Sequence, residues 1–166
     1  MKNVHIGKSS DSEELDRWVR LAVRYLAVCD RTCAQVRNYV LRKGAGPDQI
    51  EQVVARLSAL HYLDDRAYAE RWVMRRMADR PMGRERLKYE LDVRGVEDSI
   101  AESTIGRAFE TIDEDQLARS ALDAAQRRGR CVTSIQAVSF LRRRGFGEDT
   151  IGRMMEQCIG NKGSVS

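Results

Sequence analysis

The stretch HYLDDRAYAERWVMRRMADRPMGRERLKYELDVRG, residues 61–95, decides how the rest of the chain is read. Tyr68, Trp72 and Val73 recur at the spacing of one apolar stripe on a helix. Asp64 and Asp65 stand just ahead of that stripe, where a carboxylate accepts from free backbone N–H groups and favours the positive helix end. Pro81–Gly83 breaks the pattern. Leu87 and Leu91 then carry a second stripe, and Gly95 closes it as the residue that most easily takes the left-handed conformation ending a helix.

The same grammar lies on both sides. Terminating glycines stand at Gly44, Gly95 and Gly145, each preceded by a basic residue, Lys43, Arg94 or Arg144. Twelve positions before each glycine is a residue suited to an N-cap: Thr32, Gly83 or Thr133. Ser10 with Glu13, Thr32 with Gln35, Asp48 with Glu51 and Asp113 with Gln116 have the spacing of capping pairs. The expected fold is therefore all-α, an elongated curved array of three tandem three-helix repeats of about 50 residues. A disordered tail is expected at 1–10, with repeats at 11–62, 63–112 and 113–160. The helices are expected at about 12–28, 33–43, 48–60, 65–78, 84–94, 99–111, 114–127, 134–144 and 149–159. Short links favour the array over one compact domain, although short links also allow sharp reversals.

Composition narrows the function classes. The 166 residues are 42% hydrophobic but only 6% aromatic, which suits thin helix-on-helix packing. A formal net charge of +4 is compatible with nucleic acid or an acidic partner and selects neither. No apolar run reaches the length of a membrane span, and Met1–Ser10 lacks the apolar core of a signal peptide. A cytoplasmic protein with no membrane attachment is expected.

Cys29, Cys33, Cys131 and Cys158 do not have metal-ligand spacing, and His5 and His61 lie elsewhere. These cysteines are expected to be buried, reduced thiols. No catalytic residue, metal or cofactor is expected. With two histidines there is no credible nucleophilic triad, and Asp64-Asp65 suits a helix cap better than acid–base work. Gly44-Ala45-Gly46 and Gly145-Phe146-Gly147 lack the Gly-Lys-Ser/Thr of a phosphate loop.

The basic residues carry more. Arg127, Arg128, Arg130, Arg142, Arg143 and Arg144 fall within a segment holding no Asp or Glu, and Arg grips phosphates and carboxylates bidentately. The segment serves either partner or nucleic-acid binding, or helix capping and solubility. Arg71, Arg75, Arg84, Arg86 and Lys88 form a second group, but interleaved acids point to local ion pairs. Trp18 and Trp72 lie on apolar stripes and are expected in the core.

Tyr62-Leu63-Asp64-Asp65, Tyr68-Ala69, Gly83, Leu91 and Gly95 resemble the central signature of the RecX family of bacterial recombinase regulators. Phe140-Leu141-Arg142-Arg143-Arg144-Gly145-Phe146 is similar to that family's last repeat, and the likeness spans roughly residues 11–158. The chain departs from the pattern in Arg80-Pro81-Met82 ahead of Gly83, and in Glu97–Glu110, which is poorer in apolar residues. The resemblance implies binding to RecA protein and to its filament on single-stranded DNA, lodged in the filament groove. It further implies inhibition of strand exchange and ATP turnover, a part in recombination and the DNA-damage response, and weak sequence-independent DNA binding. The alternative is a helix-turn-helix-like DNA-binding protein, since a tight three-helix unit also suits that role. In either case a far-ultraviolet circular dichroism spectrum dominated by helix is expected; one dominated by strand or coil would refute the fold.

Overall fold

The structure is a computed structural model and describes residues 7–129 and 133–160. Among the described residues the chain forms helices α1 (Gly7–Leu26), α2 (Cys33–Arg42), α3 (Pro47–Ala59), α4 (Asp65–Asp79), α5 (Arg84–Asp92), α6 (Asp98–Thr111), α7 (Glu114–Gln126), α8 (Ser134–Arg143) and α9 (Glu148–Gly160), and no strand. It divides into two compact units. One takes in the chain to Tyr68 together with Arg94–Val96; the other takes in Ala69–Val93 and the chain from Glu97 on.

In the first unit α1, α2 and α3 pack on one another around Trp18, Ala22, Val36, Val40, Val53 and Leu57. Thr32 and Gln35 form the expected capping box at α2: the Gln35 N–H donates to Thr32 Oγ1, and the Thr32 N–H to Gln35 Oε1, both at 3.2 Å. The helix ends at Gly44, whose φ of 99° lets the Ala45 N–H reach back to the Val40 carbonyl at 3.1 Å.

Three expectations need correction here. α1 starts at Gly7, so Ser10 and Glu13 lie within the helix and not at its start, and only 1–6 of the expected tail lie outside the described residues. Once nucleated, a helix propagates one bond per residue without needing a buried face. α3 starts at Pro47, whose fixed φ and missing N–H suit the first helical position. Gly46, not Asp48, is its cap residue, with the Gly46 N–H held by Gln49 Oε1 at 2.9 Å. Glu51 instead pairs with Arg37 at 2.8 Å. Finally, Cys29 is exposed and Cys33 half-buried, so these two are not the core thiols expected; Cys131 and the Cys158 side chain lie outside the described residues, as does His5.

The N-terminus of α2 holds more than its own cap. The Thr32 hydroxyl, fully buried, donates to the Arg94 carbonyl at 2.6 Å. Asp65 Oδ1 accepts from the Cys33 N–H at 2.8 Å. Gly95 follows at φ 72°, so close that an added Cβ would lie 2.3 Å from the Ala34 Cβ. The glycine turn after α5 is thus seated on the open end of α2, where a carbonyl satisfies an otherwise unmatched donor.

The second unit contains the same seat. α7, α8 and α9 pack around Ala118, Leu122, Leu141, Phe146, Ile151 and Met154. The turn after α8 lies on the N-terminus of α5: the Gly83 N–H donates to the Arg144 carbonyl at 2.8 Å and the Glu85 N–H to the Gly145 carbonyl at 3.3 Å. A Cβ on Gly83 would meet the Gly145 oxygen at 2.1 Å, which is why the cap residue there is glycine. The apolar-poor sixth helix packs against α5 by burying small and mixed residues, Ala101, Thr104, Ile105 and Phe109. The Arg84 guanidinium covers the Phe109 ring at 4.2 Å.

The glycines separate into two energetic classes. Gly44 has open space around it, so Gly44→Ala is expected to cost only the left-handed strain, about 1 kcal/mol. Gly83 has an ordinary φ of −80°, so Gly83→Ala costs steric displacement alone, about 2–3 kcal/mol against rigid backbone. Gly95→Ala and Gly145→Ala combine both costs and are expected to exceed Gly44→Ala. Urea denaturation midpoints for the set check this ordering; equal losses at all of them would mean that the two seats carry no load.

Candidate functional site

Most of the signature residues are placed by the fold rather than offered to a partner. Leu63, Tyr68, Ala69 and Leu91 are buried, and Tyr62 is exposed. Asp64 Oδ1 accepts from the Ala67 N–H at 2.9 Å and so caps α4, whereas the Asp65 carboxylate serves α2. Burial pushes the Tyr68 phenol up, and the Arg94 guanidinium hydrogen-bonded to it pulls it partly back. Burial beside Asp65 likewise raises the Cys33 thiol.

The acid-free arginine segment is not one surface. Arg127 and Arg128 are exposed where α7 ends, with Gly129 at φ 69° closing the turn; Arg130 lies outside the described residues. Arg142 at the end of α8 is held bidentately by Glu148, Nε to Oε1 at 2.7 Å and Nη2 to Oε2 at 2.8 Å. That carboxylate lies just beyond the segment, four residues past Arg144. Arg144 turns inward: its Nη1 donates to the Pro81 carbonyl at 3.0 Å, and its guanidinium lies 5.0 Å from the Phe140 ring centroid. Arg143 stays exposed and has no ion pair among the described residues.

A surface hollow collects part of this set. Arg128 and Arg144 line it with Arg80, Asp79, Pro81 and Phe140, over a floor of Ala121, Ala124 and Ala125. Arg80 belongs to neither basic group read from the sequence, where it figures only in Arg80-Pro81-Met82 ahead of Gly83. Its position beside Pro81, at the break between α4 and α5, is the one local signal pointing to it.

The second basic group is largely neutralised. Arg84 pairs with Glu114 at 3.4 Å, Lys88 with Glu102, and Arg86 with Glu90 at 3.3 Å. Glu90, nearly buried, also faces Arg76 at 2.9 Å, so two guanidiniums clamp one carboxylate. Hydrogen bonds from arginine hold the Asp115 and Glu148 carboxyls below their ordinary range. Such a depressed carboxyl supports the fold above its unfolded pKa, and that support is lost as pH falls through the folded one. Among the described residues, no group of three or more His, Cys, Asp or Glu is placed to hold a metal, and no helix is long and apolar enough to cross a membrane.

Comparison with known proteins adds a second line. Residues 20–57 match the family model described as RecX, first three-helix domain, and residues 64–105 match RecX, second three-helix domain. A regulatory protein RecX from Prosthecochloris aestuarii is 30% identical over 146 residues, covering 84% of this chain and 92% of that protein. One from Mycobacterium tuberculosis is 29% identical over 147 residues, covering 84% of each. The crystal structure of RecX from Lactobacillus salivarius superposes with a TM-score of 0.77 at 20% identity, over 88% of this chain and 97% of that one, a likeness of fold.

The geometry separates the arginines by what they hold. Arg144→Ala removes a charged donor from a half-buried carbonyl contact and uncovers Phe140, and is expected to cost about 1–2 kcal/mol. Arg143→Ala is expected to leave the urea midpoint where it was. Equal midpoints for both variants would show that Arg144 contributes nothing at the seat.

Proposed function

Because the chain belongs to the RecX family of regulatory proteins, we propose that it binds the RecA recombinase and its filament on single-stranded DNA and lowers recombinase activity and ATP turnover. It does so by binding, without chemistry of its own. Within this proposal it works in the cytoplasm, moderates recombination and the DNA-damage response, and has weak, sequence-independent affinity for DNA. Three tandem three-helix units are part of the same proposal. What supports the third is that α8 opens with the Thr-to-Gln capping box of α2, ends in the same glycine stop, and packs with α7 and α9 on a core of their own.

The observation that carries the binding surface is the contrast among arginines. Arg127, Arg128 and Arg143 are exposed and have no ion pair among the described residues, while the basic residues of α5 are matched by acids. Unmatched guanidiniums keep their capacity for phosphate or carboxylate. Arg142 and Arg144 are already engaged, so removing them would confuse folding with binding.

The test is RecA-dependent ATP hydrolysis on single-stranded DNA, titrated with the wild-type protein and with the combined variant Arg127→Ala, Arg128→Ala, Arg143→Ala. The variant's inhibition midpoint is expected to move about tenfold higher, since each exposed contact contributes little alone. Added salt should produce part of the same shift by screening. Superimposed curves would remove these arginines from the surface. If the wild type fails to inhibit at stoichiometric concentration but retards a particular DNA sequence, the groove-reading alternative takes its place.

A further inference from the structure

A second strongly charged surface lies in the first unit, on α1 and α2. Between Asp16 and Asp48 the chain carries six arginines and one lysine against a single acid, Asp30, which already has a partner. Asp16 itself is taken by Arg56 at 2.7 Å, and of the seven cations only Arg37 has an ion pair among the described residues, with Glu51. Arg17, Arg20 and Arg24 recur at three and four along α1, so they share one face, and all three are exposed. Arg42 is exposed at the end of α2.

Beside this charge lies an aromatic column. Tyr25 near the end of α1 and Tyr39 on α2 stack with 4.0 Å between ring centroids, 5° from parallel. Both are half-buried, and each outer face meets a cation. The Arg31 guanidinium lies 4.6 Å from the Tyr25 centroid, and the Lys43 ammonium 5.8 Å from that of Tyr39. The two ends differ. Arg31 is close and half-buried, whereas Lys43 is exposed on a flexible stem, near the limit of about 6 Å at which a cation still feels a ring. The cover on Tyr39 is the one that moves aside easily.

We propose that this α1–α2 surface binds single-stranded nucleic acid, with an unpaired base stacking on the outer face of Tyr39 and Lys43 passing from that ring to the adjoining phosphate. Arg20, Arg24 and Arg42 take further phosphates. An unpaired strand alternates an anion with a flat π-face, and cations set on rings match both; an acidic peptide brings only the anion, and a duplex keeps its base faces closed. The inference rests on the proposed affinity for DNA and gives that affinity a place, in a different unit from Arg127, Arg128 and Arg143.

Fluorescence anisotropy of the protein alone with two labelled strands of equal length, oligothymidylate and its abasic counterpart, tests it. The wild type is expected to bind oligothymidylate about tenfold more tightly, since stacking needs the bases that the abasic strand lacks. Tyr39→Leu should remove that preference while leaving abasic binding unchanged, and Tyr39→Phe, which keeps the ring, should restore it. The combined variant Arg20→Ala, Arg24→Ala, Arg42→Ala should weaken both strands and reduce the slope of log affinity against log salt by about 2, at about 0.7 for each lost phosphate contact. Circular dichroism is expected to show wild-type helix content in every variant. Equal affinity of the wild type for the two strands overturns the proposal, as does a preference surviving Tyr39→Leu, or a polyglutamate peptide competing as well as oligothymidylate. Binding that is lost in the Arg127, Arg128 and Arg143 variant but untouched by these substitutions overturns this site and keeps the affinity for DNA. A wild type that binds neither strand sinks both.

Discussion

A main-chain carbonyl laid on the open end of a helix is the contact on which much else here depends. The first N–H groups of α2 and α5 have no intrahelical partner, and burying them unmatched would cost free energy. In one unit Asp65 and Thr32 take the Cys33 and Gln35 N–H groups and the Arg94 carbonyl accepts from the Thr32 hydroxyl; in the other the Arg144 and Gly145 carbonyls accept from the Gly83 and Glu85 N–H groups. The helix dipole favours the partial negative charge that each turn brings. To come this close the turn must be left-handed and lack a Cβ, which accounts for Gly95 and Gly145 together. The receiving residue answers in two ways. Thr32 gives a hydroxyl, whereas Gly83 gives its backbone N–H and leaves its side-chain space to the Gly145 carbonyl.

That contact also divides the arginines into those used by the fold and those left over. Arg144 precedes the turn glycine and is drawn inward, onto the Pro81 carbonyl and the Phe140 ring. Arg142, two residues earlier, faces outward and is taken by Glu148. Arg143, between them, points to neither. A helix turns about 100° per residue, so three consecutive arginines cannot share one environment. Fewer of these cations are therefore left unmatched by the fold than a count of basic residues implies.

Much of the fold was legible because its signals are local. The boxes at Thr32–Gln35 and Thr133–Gln136, the caps at Gly83 and Asp113, and the stops at Gly44, Gly95 and Gly145 each involve residues within about one helical turn. Where local signals competed, the pattern misled. Asp48 with Glu51 has the form of a cap, but Pro47 prefers the first helical position and moved the start ahead of it. The stop of α3 carried no glycine at all. His61 takes φ 58° there, and the Tyr62 N–H closes on the Leu57 carbonyl at 2.9 Å.

Pairings far apart along the chain were a different matter. Thr32 and Arg94 are 62 residues apart, Cys33 and Asp65 32, and Pro81 and Arg144 63. Thr32 and Thr133 head the same capping box, one buried under a carbonyl and the other exposed. Helix starts, stops and apolar stripes follow from backbone hydrogen bonding and side-chain spacing over three or four residues, and they were in the chain to be read. Which carbonyl reaches which helix end, and hence which arginine the fold engages, depends on how packed helices bring distant groups within about 3 Å, and no local periodicity encodes that distance.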